Sequence, residues 1–244
     1  MPTPSPTPVA PALEQRFTAW EARGPSGDAA HRARLSALVE ALRRERSRGG
    51  SLDVVFVCTH NSRRSHMAQL LGAVAARRAN VAARTFSAGT EATAFNPRAV
   101  AALVRAGFDI PPADGPNPRY QVRWSPTAPP LEAFSKALGD PSLPSAGFVA
   151  VMTCTQADAA CPLVKGAVAR VAVPYEDPKV ADGTPAEAGR YDERVEQLGR
   201  DLAWVFREVA REGDGRRGEG RRHPPAAAAG ASRVVRKMTL ATVK

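Results

Sequence analysis

The chain has 244 residues, 43% of them hydrophobic, which is enough for one α/β domain with extensions. No apolar run approaches the roughly 18 to 20 residues of a membrane span, and the N-terminus lacks the segments of a secretory signal, so we expect a cytoplasmic protein. The formal net charge of +10 raises nucleic acid as a partner. Residues 213–244, however, hold eight Lys and Arg against Asp214 and Glu219, so most of the surplus lies in this tail. We therefore expect no nucleic-acid binding beyond weak electrostatic contact through the tail.

The N-terminal part of the chain forms an extension that precedes the strand–helix alternation of the core. Residues 1–11 are rich in Pro, Ser and Thr, which predicts disorder. Apolar positions at helical spacing over 13–23 and 29–48 predict two helices. The chain is thus divided into a disordered N-terminus at 1–11, a helical extension at 12–50, a main domain at 51–212 and a basic disordered tail at 213–244.

Strands and helices alternate through the main domain. The run at 52–57 is apolar except for Asp53, which is typical of a parallel strand buried on both faces. The Pro-rich stretch 111–146 predicts an excursion with a short strand at 120–124 and a short helix at 131–137. Further strands are predicted at 82–86, 148–153 and 167–173, and helices at 65–78, 96–106 and 185–209. Such alternation predicts a parallel sheet wrapped by helices, with the active site beyond the carboxyl ends of the strands.

The segment after the first core strand has the residues of a nucleophilic site. Cys58 is followed after five residues by Arg64 and then by Ser65, between a strand end and a helix start. A tight loop at this place points backbone N–H groups inward, and together with the helix dipole it binds a tetrahedral anion. The same field favours the thiolate of Cys58, while Arg64 binds two oxyanion oxygens and Ser65 hydrogen-bonds the thiolate. The predicted oxyanion-binding residues are Thr59, His60, Asn61, Ser62, Arg63, Arg64 and Ser65.

A competing interpretation is a buried cysteine at a strand end with an arginine nearby on the surface. The Cys-x5-Arg spacing is weak evidence on its own, because arginine is common in this chain. The strand before the loop, the helix after it and Asn61-Ser62 inside it favour the anion site, since Asn61 tolerates a left-handed conformation and can hold the loop together.

Two further cysteines, Cys154 and Cys161, follow the third core strand and are separated by six residues. This spacing is too wide for the Cys-x2-Cys of a usual zinc site and no histidine is nearby, so no metal is expected. An odd number of cysteines without an export signal argues against structural disulfides. Reactive thiols and incidental thiols both remain open on spacing alone.

Together these motifs resemble the low-molecular-weight protein tyrosine phosphatase superfamily, which includes the thioredoxin-coupled arsenate reductases. Besides the Cys58 loop, residues 87–91 followed by Asn96-Pro97 and residues 107–110 resemble the second strand and following helix of that family. Glu176-Asp177-Pro178 resembles the loop that carries its general acid. The resemblance covers about residues 52–212 and implies a flavodoxin-like doubly wound α/β fold, with a four-stranded parallel sheet and helices on both faces.

The resemblance to the arsenate reductase branch also implies roles for the cysteines. Cys58 would attack arsenate while Asp177 protonates the departing oxygen; Cys154 would then attack Cys58, and Cys161 would attack Cys154. A thioredoxin-like dithiol would reset the enzyme, without a bound cofactor. Two departures leave the substrate preference open: His60 replaces a usual glycine and Arg63 replaces a residue that is often cysteine.

Two alternatives stand beside the arsenate reductase. A phosphatase of the same fold, acting on phosphotyrosine or a small phosphoester, would need only Cys58, Arg64 and Asp177 and would have no use for Cys154 and Cys161. A nucleic-acid or partner-binding protein with a vestigial site is the third hypothesis, against which the intact catalytic residues argue.

Overall fold

The computed structural model describes residues 7–49, 52–161 and 163–215, and the side chains of that last range up to 211. The predicted tail at 213–244 lies outside these ranges except for 213–215, where the closing helix continues. The elements in chain order are α1 (Pro11–Arg23), α2 (Ala29–Ser47), β1 (Leu52–Cys58), α3 (Arg64–Arg78), β2 (Ala83–Gly89), α4 (Pro97–Ala106), β3 (Tyr120–Val122), β4 (Leu131–Ala133), β5 (Phe148–Met152), α5 (Thr155–Ala160), β6 (Ala167–Ala172), a 3₁₀ turn (Pro178–Ala181) and α6 (Glu187–Gly215).

The main sheet is parallel, with strand order β2-β1-β5-β6, so the prediction of a four-stranded doubly wound α/β sheet is confirmed. Its central strand β1 is buried along its whole length, as its apolar run predicts. The register places Cys58 beside Gly89 of β2 and Val57 beside Met152 of β5. The carboxyl ends of these three strands are therefore level, and the residues that follow them meet at one edge of the sheet.

Helices lie on both faces of the sheet, but they cover the two faces unequally. Leu52, Val54 and Phe56 point into a large core that is shared with α1, α2, α3, α4 and α6. Val55 and Val57 alternate to the other face, where the short α5 and the segment around Leu138 and Leu143 complete a smaller core. Cys58 and Cys154 belong to this smaller core.

The two predicted N-terminal helices are present and form part of the large core. Phe17 and Trp20 of α1 are buried, and the ring of Trp20 lies where a Cβ on Gly199 of α6 would be, at 2.3 Å. Arg46 of α2 donates a hydrogen bond to the carbonyl of Val209 at 2.7 Å. The extension is therefore packed directly on the closing helix.

The N-terminus differs from its prediction within the described residues. Pro11 begins α1, and Ala10 donates its backbone N–H to the carbonyl of Trp124 at 2.9 Å. The carbonyl of Thr7 accepts from Arg77 at 3.1 Å. Residues 7–11 are thus held against the domain, because their backbone groups find partners there; residues 1–6 lie outside the described ranges.

The prediction of a helix at 131–137 is wrong. Residues Leu131–Ala133 form β4, which pairs antiparallel with β3. Beyond β4, Lys136 donates its backbone N–H to the side chain of Asn61 at 2.8 Å, and its carbonyl accepts from Gly89 at 2.9 Å. These long-range partners take the backbone groups that a helix would bond internally. The excursion therefore docks on the loop that follows β1.

Candidate active site

Residues 58–65, here called the anion loop, connect β1 to α3. Asn61 is completely buried within the loop and has a positive φ of 42°. Its amide nitrogen donates to Ser65 Oγ at 2.9 Å, and its oxygen accepts from the backbone of Lys136. The asparagine thus fixes the turn from inside and ties it to the excursion, in a conformation that asparagine tolerates better than most residues.

The thiol of Cys58 lies 3.0 Å from the hydroxyl of Ser65 at the start of α3. Because Ser65 Oγ already accepts from Asn61, its own proton is free to be donated to the sulfur. Such a donor stabilises a thiolate and also eases its departure from a covalent intermediate. Cys58, Cys154 and Cys161 are all free of disulfides, and the first two are buried.

Residues outside the anion loop donate hydrogen bonds to three of its backbone carbonyls. Thr90 donates to the carbonyl of Cys58 at 3.1 Å and Glu91 to that of Thr59 at 2.8 Å. The carbonyl of His60 accepts from the hydroxyl of Ser135 at 3.1 Å. With these carbonyls held on the outside, the loop is fixed in one conformation around the site.

Gly89 permits this close approach, since a Cβ there would lie 2.6 Å from Asn61 N and 2.7 Å from Thr59 O. We expect Gly89→Ala to weaken binding of inorganic phosphate or arsenate at least about tenfold and to destabilise the fold by about 1–3 kcal/mol, because backbone must shift. Calorimetric titration and thermal unfolding measure both effects. Gly189→Ala is the matched control, because nothing lies within 4 Å of its Cβ. Wild-type affinity and stability in Gly89→Ala would contradict this role for the glycine.

Asp177 bridges two guanidinium groups at the mouth of the site. Arg64 donates to its Oδ2 at 2.8 Å, and Arg63 donates to Oδ1 at 2.8 Å and to Oδ2 at 3.2 Å. Burial by itself raises the pKa of Asp177, but the hydrogen bond from Arg63 and the positive charges of Arg64 and Arg63 outweigh it and hold that pKa below its ordinary value. The carboxylate is therefore ionised, and it occupies donors of both Arg63 and Arg64.

The cavity at this place is correspondingly small, about 10 Å³. That volume is near the minimum for one water molecule. Its walls are polar or charged throughout: Cys58, His60, Ser62, Arg63, Arg64 and Asp177. In this conformation the carboxylate of Asp177 closes the mouth of the cavity against Arg63 and Arg64.

Tyr175 links the site to the N-terminal extension, a connection that the sequence analysis missed. Its carbonyl accepts from Arg64 at 2.9 Å, and its hydroxyl donates to the fully buried Asp201 at 3.1 Å. Burial, followed by the charge of Asp201, holds the pKa of Tyr175 well above its usual range, so it stays a donor. Asp201 also binds Ser26 and His31 of the extension, at 2.6 and 2.7 Å. No sequence signal pairs residues so far apart.

Cys154 lies beside the anion loop, at the end of the strand next to β1. Its buried thiol is 3.5 Å from the hydroxyl of Thr59 and accepts from the backbone of Ala157 at 3.3 Å. Cys161 lies half-buried at the opposite end of α5. Six helical residues lie between Cys154 and Cys161, and the seven steps of helical rise separate their Cα atoms by about 10 Å. A disulfide needs less than about 7 Å, so these two thiols are held apart in this conformation.

Of the histidines, His60 is half exposed at the mouth, with Nε2 3.7 Å from Glu91 Oε2. His66 is completely buried and stacks on Phe95 at 4.1 Å, and burial holds its pKa well below the usual value, so it is neutral. Within the described ranges no three of His, Cys, Asp and Glu come together as a metal site requires. None of the described helices combines the length and apolar character needed to cross a lipid bilayer.

Comparison with known proteins identifies the class. No family model matches the chain. The arsenate reductase of Bacillus licheniformis is 30% identical over 142 residues, which span 58% of this chain and 85% of that protein. That of Shouchella clausii is 31% identical with the same coverage, and that of Brevibacillus brevis is 31% identical over 125 residues, 51% of this chain and 75% of that protein.

The solved structures that resemble this chain are less similar to it in sequence than the three arsenate reductases are. A low-molecular-weight phosphotyrosine phosphatase of Vibrio cholerae is 14% identical with a TM-score of 0.44, covering 69% of this chain and 99% of that one. The thioredoxin-dependent arsenate reductase of Corynebacterium glutamicum is 17% identical with a TM-score of 0.34, covering 77% and 80%. The sequence relatives carry the assignment: the chain belongs to the family of these arsenate reductases. It is an enzyme of the arsenate reductase or phosphatase type.

Proposed function

We propose that the protein reduces arsenate to arsenite through a relay of its three cysteines. The observation that carries the proposal is the position of Cys154, whose buried thiol contacts Thr59 of the anion loop at 3.5 Å. Cys58 and Cys154 also belong to the same small buried cluster at this edge of the sheet. Hydrolysis of a phosphoester has no role for the thiol of Cys154, whereas reduction of arsenic requires two electrons from a pair of thiols.

In the first step, arsenate displaces the carboxylate of Asp177 from Arg64. The bound negative charge favours protonation of Asp177, which Arg63 continues to hold near the site. The thiolate of Cys58 then forms a bond to arsenic, and an arsenate oxygen leaves as water with a proton from Asp177. Arg64 stabilises the charge on the remaining oxygens.

In the second step, the thiolate of Cys154 attacks the sulfur of Cys58. The sulfur–arsenic bond breaks, and its electron pair stays on arsenic, which leaves as arsenite. The two sulfurs are oxidised to a Cys58–Cys154 disulfide while As(V) is reduced to As(III), so two electrons are transferred. Cys161 then attacks Cys154, Cys58 departs as a thiolate, and a Cys154–Cys161 disulfide remains for an external dithiol of the thioredoxin type to reduce.

The proposal requires no bound cofactor, and it includes the cytoplasm as the compartment because reducing conditions there keep the three thiols reduced. The walls of the site also bear on the alternative of a tyrosine phosphatase. The lining residues are mostly polar or charged, and among them the half-exposed imidazole of His60 offers a ring face on which an aromatic group could stack. Arsenate is therefore preferred here on the position of Cys154 and not on this lining.

The relay is tested by trapping its intermediate in Cys161→Ser. After reduction and addition of arsenate, we expect one equivalent of arsenite and a Cys58–Cys154 disulfide, located by peptide mass spectrometry. Cys154→Ser is the matched variant, in which no disulfide forms from the same treatment. Inorganic phosphate replaces arsenate in the control and leaves all thiols free. Free thiols in arsenate-treated Cys161→Ser would overturn the proposal.

A further inference from the structure

Arg170 of β6 holds the C-terminal end of α5 with three hydrogen bonds from one guanidinium group. Its Nη2 donates to the carbonyl and to the Oδ1 of Asp158, both at 2.5 Å, and its Nε donates to the carbonyl of Cys161 at 2.8 Å. The two carbonyls lie at the end of the helix, where no further helical N–H follows to bond them. A cation at this end is also favoured by the helix dipole.

Little else in the described structure anchors α5. The helix has six residues, too few to be stable without tertiary contacts. Only Ala157 among them is buried, and most of the others are exposed. At the N-terminal end the thiol of Cys154 accepts from the backbone of Ala157. The hydrogen bonds from Arg170 therefore contribute much of the stability of α5.

The helical state keeps Cys161 away from Cys154. Their Cα atoms are about 10 Å apart along the helix, beyond the reach of a disulfide. For Cys161 to attack Cys154, α5 has to unwind, and the carbonyl of Cys161 has to leave Arg170. The contacts of Arg170 thus oppose the resolving step and preserve the reduced pair.

We propose that Arg170 is a latch: a positioning residue that keeps α5 helical and so prevents Cys154 and Cys161 from forming a disulfide before Cys154 has reacted with Cys58. The inference deepens the proposed function and rests on it for its biological meaning. The contacts themselves make a prediction that needs no arsenate. Breaking them shifts the dithiol–disulfide equilibrium of the Cys154–Cys161 pair toward the disulfide, because the reduced state alone contains the latch.

The test uses full-length Cys58→Ser protein, in which Cys154 and Cys161 are the remaining thiols. The protein is equilibrated with mixtures of oxidised and reduced dithiothreitol, whose cyclic disulfide accepts the two electrons as the protein pair is oxidised. We expect Arg170→Met to raise the equilibrium constant for the Cys154–Cys161 disulfide by about 10- to 100-fold, since three hydrogen bonds from a charged donor are lost. Asp158→Asn keeps the carbonyl contacts, so a smaller rise of about threefold is expected.

Arg105→Met is the matched control, because Arg105 pairs with Asp192 on a different part of the surface. It should leave the equilibrium unchanged. In the fully reduced proteins, amide hydrogen exchange over residues 157–161 should be faster in Arg170→Met than in the control. If Arg170→Met does not fold, Asp158→Asn carries the test on both readouts. Unchanged equilibrium and exchange in the folded Arg170 or Asp158 variant would overturn the latch. This test uses no arsenate, so its failure is distinct from failure of the proposed reductase. If the reductase proposal is wrong, arsenate leaves the thiols of the unmodified protein unreacted.

Discussion

Cys58→Ser is expected to lose at least about 10³-fold in every reaction of the site, whether arsenate reduction or hydrolysis of an aryl phosphate. The serine hydroxyl fits the space of the thiol and can still hydrogen-bond Ser65, which lies 3.0 Å from the sulfur. It is, however, almost never ionised at neutral pH, so the nucleophile is lost while the anion loop keeps its form. Arsenite production and aryl phosphate hydrolysis measure the loss, and calorimetric binding of phosphate measures the intact loop.

Cys161→Ser is the control for this prediction, because it alters another thiol. It should lose repeated turnover of arsenate, but it should retain one equivalent of arsenite per chain and any hydrolysis of aryl phosphate. Substantial turnover in Cys58→Ser, or complete loss of the single arsenite equivalent in Cys161→Ser, would contradict the assignment of Cys58 as the only nucleophile toward the oxyanion.

Asp177→Asn is expected to slow turnover by about 10²- to 10⁴-fold and at the same time to tighten oxyanion binding. The slower rate follows from loss of the proton donor. The tighter binding follows from this structure, because the carboxylate occupies Arg64 at 2.8 Å and competes with the incoming anion. If the lost competition is worth about 1.4 kcal/mol, the dissociation constant for phosphate falls about tenfold.

The neighbouring Glu176→Gln provides a matched control for Asp177→Asn. Its carboxylate is largely exposed and lies 3.7 Å from Arg194, away from the two arginines of the site. We expect near-normal turnover and unchanged phosphate affinity in this variant. Weaker phosphate binding in Asp177→Asn would show that the carboxylate supports the anion site instead of competing with the anion.

The sheet could be predicted from the sequence because its strands are short apolar runs, and the β1 run at 52–57 is the clearest of them. The placement of Cys58 and Cys154 at one edge of the sheet also follows from the sequence, since each is predicted to follow a parallel core strand. The helix prediction at 131–137 failed because the backbone of Lys136 bonds with Asn61 and Gly89, which are distant in sequence. The local spacing of apolar residues does not indicate hydrogen-bond partners that are distant in sequence.

From the sequence, Arg63 is predicted to bind the oxyanion, and no contact with Asp177 is indicated. In the structure it donates two hydrogen bonds to Asp177, 114 residues further along the chain, and so holds this carboxylate beside the anion loop. The contacts of Arg170 with α5 are equally invisible in the sequence. The Arg63–Asp177 contact and the contacts of Arg170 with α5 each join residues that are distant in sequence. Their geometry is defined only when the chain has folded.

The three-cysteine relay is tested most directly by its stoichiometry in the unmodified protein. The reduced chain is mixed with arsenate without any external reductant, and arsenite and free thiols are counted in the same sample. The account predicts one arsenite and two lost thiols per chain, with a Cys154–Cys161 disulfide and a free Cys58. Three free thiols and no arsenite, together with sustained hydrolysis of an aryl phosphate, would contradict the relay and make the protein a phosphatase.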